Sequence, residues 1–422
     1  MEGVAPIRKT STLAIIQVAA LLTLGTTFIA CGARTAAVAP LTSSAASQPA
    51  ATVSPSTEAT APTPMLAYVA VAASPNTIQP SPYDTPGSVV VIDTSTNAVV
   101  KTLYPDPDGH PGGVVVSPDG TRVYVANNRD FTTPTPGIPG CWSCVIVIDT
   151  ATNTVVATIS LAEEIFTVFI SPDGTRVYAT PTSSIAVIDT ATNSVLSTLP
   201  LDSLGIPGDT SYLAAITPDG SRGYVLSDLY PNDVGLLTVI DTTTDAVLAT
   251  VPLQGYPSGV AFSPDGKQAY ITANSDSAGS TVSVLDASQY KVVATIPVVG
   301  IEATAPLVSP DGKRLYVGSL SREDFCGGSL PNSSACVSVI DTGTGTVAAH
   351  VPIPESAPAG LYWDPIPPAD MAITPDGARV YATIPLFPGM VAVIDTATNQ
   401  LVANIPAPFS PAGIAIAQIG GH

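Results

Sequence analysis

A turn of sequence Ser/Thr-Pro-Asp-Gly begins at Ser117, Ser171, Thr217, Ser263, Ser309 and Thr374, and the four copies from Ser171 to Ser309 follow at 46-residue intervals. Asp-Gly suits a tight hairpin because glycine tolerates positive φ and aspartate bonds its own backbone. Each turn leads into a short apolar stretch centred on a tyrosine, as in Arg122-Val123-Tyr124-Val125-Ala126-Asn127. Those tyrosines are Tyr68, Tyr124, Tyr178, Tyr224, Tyr270, Tyr316 and Tyr381. A third stretch ends in Ile-Asp or Leu-Asp, at Asp93, Asp149, Asp189, Asp241, Asp286, Asp341 and Asp395, and a fourth resembles Val155-Val156-Ala157-Thr158-Ile159. Seven tyrosines and seven aspartates in one register mean seven units, although only six turns are present. The period lies close to the roughly 40–45 residues of a four-stranded propeller blade.

The missing piece stands at the other end of the chain. Pro411-Ala412-Gly413-Ile414-Ala415-Ile416-Ala417 resembles the strand that opens each internal unit, such as Pro257-Ser258-Gly259-Val260-Ala261-Phe262, whereas the first unit starts at its second strand, Leu66 to Val71. A ring of four-stranded sheets has no open edge when its last strand completes its first sheet. The expectation is an all-β, seven-bladed β-propeller of antiparallel four-stranded blades over 65–419, closed by the C-terminal strand. The repeated aspartates are expected to accept backbone N–H groups two residues on. The basic residues after the turns (Arg122, Arg176, Arg222, Lys267, Arg314, Arg379) are expected to pair with nearby carboxylates. Thirteen of the 33 acidic residues are then scaffold.

Two segments precede the repeats. Arg8 and Lys9 stand before an uncharged run from Leu13 to Ala30, the layout of a secretory signal. Phe28-Ile29-Ala30-Cys31 resembles the lipobox of bacterial lipoproteins, which implies a signal peptide over 1–31 and lipidation of Cys31. Phe28 stands where leucine is usual, so ordinary signal cleavage remains an alternative. Removing Cys31 leaves an even four cysteines. Residues 32–64 are almost wholly Ala, Thr, Ser, Pro, Gln, Gly and Val, and read as a disordered tether. The expected location is outside the cytoplasm, periplasmic or on the cell surface, with the membrane reached only through the lipid.

Tyr124-Val125-Ala126-Asn127 and Val147-Ile148-Asp149-Thr150, with their counterparts in every unit, resemble the YVTN β-propeller repeat family. That family includes archaeal surface-layer proteins and bacterial periplasmic proteins, some of which bind DNA, and others are propeller domains of haem-dependent reductases. The resemblance implies the fold and leaves the chemistry open. A net charge of −19 opposes nucleic acid, and the chain lacks C-x-x-C-H, G-x-S-x-G and any Gly-rich phosphate loop before a helix. No cofactor is expected. Loop acids at Asp106-Pro107-Asp108-Gly109 and Glu163-Glu164 could supply oxygens to calcium but are more often merely solvated.

The first-to-second and third-to-fourth turns of the units are short and uniform, whereas the remaining connections are long and individual, and function on a repeated scaffold usually uses the individual face. Six tyrosines outside the repeat, Tyr83, Tyr104, Tyr212, Tyr230, Tyr256 and Tyr362, fall in or beside those long connections, as do Trp142 and Trp363; Tyr290 does not. Aromatic side chains on loops are typical anchors of a binding surface. Tyr104, Trp142, Tyr212, Tyr230, Tyr256, Tyr362 and Trp363 are therefore the candidate binding residues. Cys141, Cys144, Cys326 and Cys336 lie in two of these loops and are expected to form a disulfide within each. A redox role for Cys141-Trp142-Ser143-Cys144 would need a thiol of lowered pKa, commonly at a helix N-terminus, and no helix is evident. The expected function is a monomeric, non-catalytic binding or scaffolding lipoprotein that recognises a protein, peptide or glycan. The alternatives are a lactonase- or lyase-type propeller enzyme with a metal at the axial opening, and a surface-layer or spacer component. Where the units begin, Gly112, Thr167, Leu213, Gly259, Ala305, Asp370 and Gly413 include a single charge, which disfavours a metal there.

Overall fold

The tyrosine-bearing stretches are strands buried on both faces. Val123 to Asn127 lie wholly inside, as do Ser143 to Ile148 of the next strand. The strand after them, Thr154–Ser160, is exposed over most of its length. Continuous apolar runs of this kind suit strands covered on both sides by neighbouring layers. The protein is described by a computed structural model over residues 64–73, 85–129, 141–206, 211–229, 233–275, 279–321, 334–354, 366–386 and 388–419.

Seven antiparallel four-stranded sheets form the blades. Blade 1 runs, from the axis outward, through Pro411–Gln418, Met65–Val71, Ser88–Asp93 and Ala98–Leu103. Blade 2 consists of Gly109–Val116, Arg122–Arg129, Ser143–Asp149 and Thr154–Ser160. The innermost strands of the next five blades are Ile165–Ile170, Ser211–Ile216, Tyr256–Phe262, Pro306–Val308 and Met371–Ile373. Each innermost strand touches that of the next blade, and Met371–Ile373 touches Pro411–Gln418, so the ring closes. Closure is by the C-terminal strand, with Ala67 opposite Ile416 and Tyr68 opposite Ala415.

The short turns interlock on one face. Gly120 adopts φ +71°, and Ser117 and Thr121 both bond the Asp119 carboxylate. Thr150, from the third-to-fourth turn of the same blade, donates its hydroxyl to Gly120 O at 2.6 Å, and Thr190, Thr242, Thr342 and Thr396 repeat the bond at 2.6–2.7 Å. The expected aspartate bonds are present, although the acceptor often serves the amide three residues on instead of two, as in Thr152 N to Asp149 at 2.9 Å. The fifth residue of this turn always has positive φ: Asn97, Asn153, Asn193, Asp245, Tyr290, Gly345 and Asn399. Asparagine is enriched there because it tolerates the left-handed region. Tyr290 holds the same place in blade 5, so it sits in a short turn rather than in a long connection.

Blade meets blade through the tyrosines. Six of the seven pack against the residue that precedes the tyrosine of the following blade, as Tyr68 does on Val123 and Tyr124 on Val177. Tyr68 donates its hydroxyl to Asn153 of blade 2 at 2.6 Å, and Tyr381 donates to Asn97 at 2.8 Å across the closure. The outermost strand of every blade carries a register shift near its start, and the residues around it are exposed pairs such as Val99–Val100, Val155–Val156 and Val195–Leu196.

Candidate functional site

On the long-loop face, the described residues concentrate at blade 2. Tyr104 follows the outermost strand of blade 1 and is 56% exposed, and Trp142 precedes the third strand of blade 2 and is 51% exposed. Both are tied to one buried ion pair. The Arg129 backbone N–H donates to Trp142 O at 2.9 Å. The Arg129 side chain donates through Nε to both Asp106 oxygens at 2.9 Å and also through Nη2. Asp106 lies two residues beyond Tyr104, and Asn127 Nδ2 adds a third donor to it at 3.0 Å. Hydrogen bonding to Asp106 holds the Arg129 pKa above its ordinary value. Two exposed aromatic residues therefore stand on a rigid base.

The Cys141–Cys144 disulfide pins the Trp142 segment, with Cα atoms 5.8 Å apart. Cys144 lies within the third strand rather than before it, and the chain continues from it as strand to Asp149. Cys336 is disulfide-bonded and lies within Ser334–Asp341; Cys326 lies outside the described residues.

The other aromatic candidates do not gather with this pair. Tyr212 belongs to the innermost strand of blade 4, Ser211–Ile216. Tyr256 opens the innermost strand of blade 5, half-buried, and its hydroxyl accepts the Asp233 N–H at 3.3 Å. Tyr83, Tyr230, Tyr362 and Trp363 lie outside the described residues, as do Cys31 and the segment 32–63.

Three of the four acids weighed for calcium, Asp106, Asp108 and Glu163, have other partners. Asp106 is held by Arg129, and Asp108 lies 3.9 Å from the same guanidinium. Glu163 accepts the Ser183 amide at 3.0 Å and the Ser183 and Thr182 hydroxyls, bracing the short connection of blade 3. His110 stands on the innermost strand of blade 2 opposite Asn128, and His350 Nδ1 lies 3.1 Å from Ser338 Oγ with its pKa lowered by burial.

Around the axis, backbones approach closely. A Cβ on Gly413 would lie 2.3 Å from Gly112 O, so only glycine fits there. Asp370 accepts the amides of Met371 at 2.8 Å and Ile414 at 3.0 Å, so its carboxylate fastens blade 7 to the closing strand; burial raises its pKa to about 6. Asp228, at the loop end of the second strand of blade 4, is likewise raised to about 6 by burial. The sequence does not single out Asp228, because a carboxylate's desolvation depends on neighbours far away in the chain.

No protein-family model matches the chain, and no curated protein does. Solved structures do. Hydrazine synthase of Kuenenia stuttgartiensis superposes with a TM-score of 0.59 at 20% identity, over 72% of this chain and 89% of that one. A functionally unknown protein from Desulfotomaculum acetoxidans gives 0.56 at 20%, over 78% and 96%. The dihydro-heme d1 dehydrogenase NirN in complex with DHE gives 0.53 at 17%, over 82% and 74%. At such identities the likeness is one of fold.

Proposed function

We propose that the protein is an extracytoplasmic, lipid-anchored propeller that binds a protein, peptide or glycan through its long-loop face, without catalysis. The observation that carries this reading is the exposure of Tyr104 and Trp142, both more than half exposed and each linked through the backbone to the Arg129–Asp106 ion pair. Large aromatic side chains held rigidly on a surface bind at low entropic cost. Lipidation at Cys31, after a signal over 1–31, and a tether over 32–64 would stand the propeller off a membrane. Among the described residues no helix is long and apolar enough to cross one.

The test uses the full chain. Wild-type protein and the Tyr104→Ala/Trp142→Ala variant are compared against a glycan array and in pulldowns from envelope extracts. Capture of a partner by wild type, weakened about tenfold or more in the variant, supports the reading; equal capture by both places the binding surface elsewhere. Adding Tyr230 and Trp363 to the Trp142 substitution extends the test to the other loops. Cys31→Ser should abolish incorporation of labelled fatty acid and move the protein from the detergent to the aqueous phase.

A further inference from the structure

The repeat breaks where blade 3 meets blade 4, on the side of the short turns. Six repeat tyrosines are 2% exposed or less, whereas Tyr178 is only half-buried. The cause is one residue. Tyr178 should pack against the residue that precedes the next tyrosine, a place held elsewhere by Ala67, Val123, Val177, Ala269, Leu315 and Val380; in blade 4 it is Gly223. A Cβ built there meets nothing nearer than Thr242 Cγ2 at 4.0 Å, so the space is open.

What remains is a cleft of about 160 Å³ between the blades. Tyr178 lies against Phe169 with ring centroids 5.1 Å apart and planes 3° from parallel, and Leu199, Val225 and Ile240 are among the other apolar lining residues. Arg176 stands on its rim and is exposed. Arg122, Arg222 and Arg379, at the equivalent position, pair with the aspartate of their own blade, Arg222 with Asp241 at 3.1 Å and Arg379 with Asp395 at 2.8 Å, whereas Arg314 donates to Thr396 O and Asn399 of the next blade. Arg176 makes no ion pair among the described residues and acts on Asp189 only through space.

We propose that this cleft is a binding site for a small single-ring aromatic carboxylate. Its ring would fill the space left by Gly223 beside Tyr178, and its carboxylate would meet Arg176. An apolar cavity of about 150 Å³ is enough for benzene, and a guanidinium matches a carboxylate through two parallel N–H bonds. Asp245, on the blade 4 rim, would repel a second carboxylate.

The probe is 4-fluorobenzoate, titrated against the full chain and followed by fluorine NMR. Saturable binding is expected, about tenfold weaker in Arg176→Gln and at least about tenfold weaker for 4-fluorobenzylamine. Gly223→Val installs the residue that three other blades carry at this place, so it should raise the melting temperature and abolish binding. Non-saturable binding, equal binding by Gly223→Val, or tighter binding of the amine would each overturn the proposal. A lowered melting temperature in Gly223→Val would show that the slot is not vacant and overturn it equally. Tyr104 and Trp142 are untouched throughout, so failure here leaves the loop-face reading standing.

Discussion

Arg129 and Asp106 face each other with side chains only 9% and 4% exposed, so each depends on the other. Removing one leaves a buried charge without its partner, which is strongly destabilising even where the intact pair adds little. Arg129→Met should therefore lower the unfolding free energy by about 3–5 kcal/mol, and Arg129→Met/Asp106→Leu should recover much of it in denaturant titrations. The sequence displays Asp106 as a loop acid and hides this role, because its partner is 23 residues away at the end of a strand. By contrast, the burial of Tyr68 belongs to a repeated pattern, and pattern makes it legible, although its hydroxyl bond to Asn153 recurs only from Tyr381 to Asn97 among the described residues. Tyr68→Phe should cost about 0.5–1.5 kcal/mol in the same assay. Tyr178 marks the limit of that legibility: its repeat position predicts burial, and a glycine 45 residues later in another blade undoes it.

Single strands carry the next set of consequences. The strand Pro411–Gln418 covers the edge of Met65–Val71, and without it blade 1 exposes a buried, uncharged strand. Truncation after residue 410 should give a protein that aggregates and lacks a cooperative melt, read by size-exclusion chromatography and circular dichroism. The outermost strands behave in the opposite way. Val100, Val156 and Leu196 are 50–55% exposed beside a register shift. Replacing all three with threonine should change the unfolding free energy by no more than about 0.5 kcal/mol per site. Strand order and closure were readable because turn residues punctuate every unit. The register shifts were not, since a two-against-one pairing depends on how two strands meet and leaves no mark in either alone.

For the molecule as a whole, acidity is set by two opposing groups of carboxylates. Twelve described turn aspartates, among them Asp149, Asp189, Asp265 and Asp395, have lowered pKa values because turn hydroxyls and amides hydrogen-bond the ionised form. Their stabilisation is present above the unfolded value near about 4 and is lost as pH falls through the lower folded values. Asp228 and Asp370, raised to about 6, do the reverse: the fold binds their protons more readily, so stability rises as pH drops from about 6 toward about 4. Melting temperature should therefore climb gently on acidification from neutrality and fall steeply below about pH 4. Asp228→Asn should flatten the gentle limb and leave the steep one in place.

The sharing of one sheet by both ends of the chain also orders events in time. A ribosome makes residues 65–71 among the first of the propeller and 411–418 among the last, so the opening sheet must wait, three strands wide, for its fourth. Six later sheets can assemble meanwhile, but the circle cannot shut until synthesis is nearly over. Any product released early carries an exposed seam that proteases and chaperones can read as unfinished.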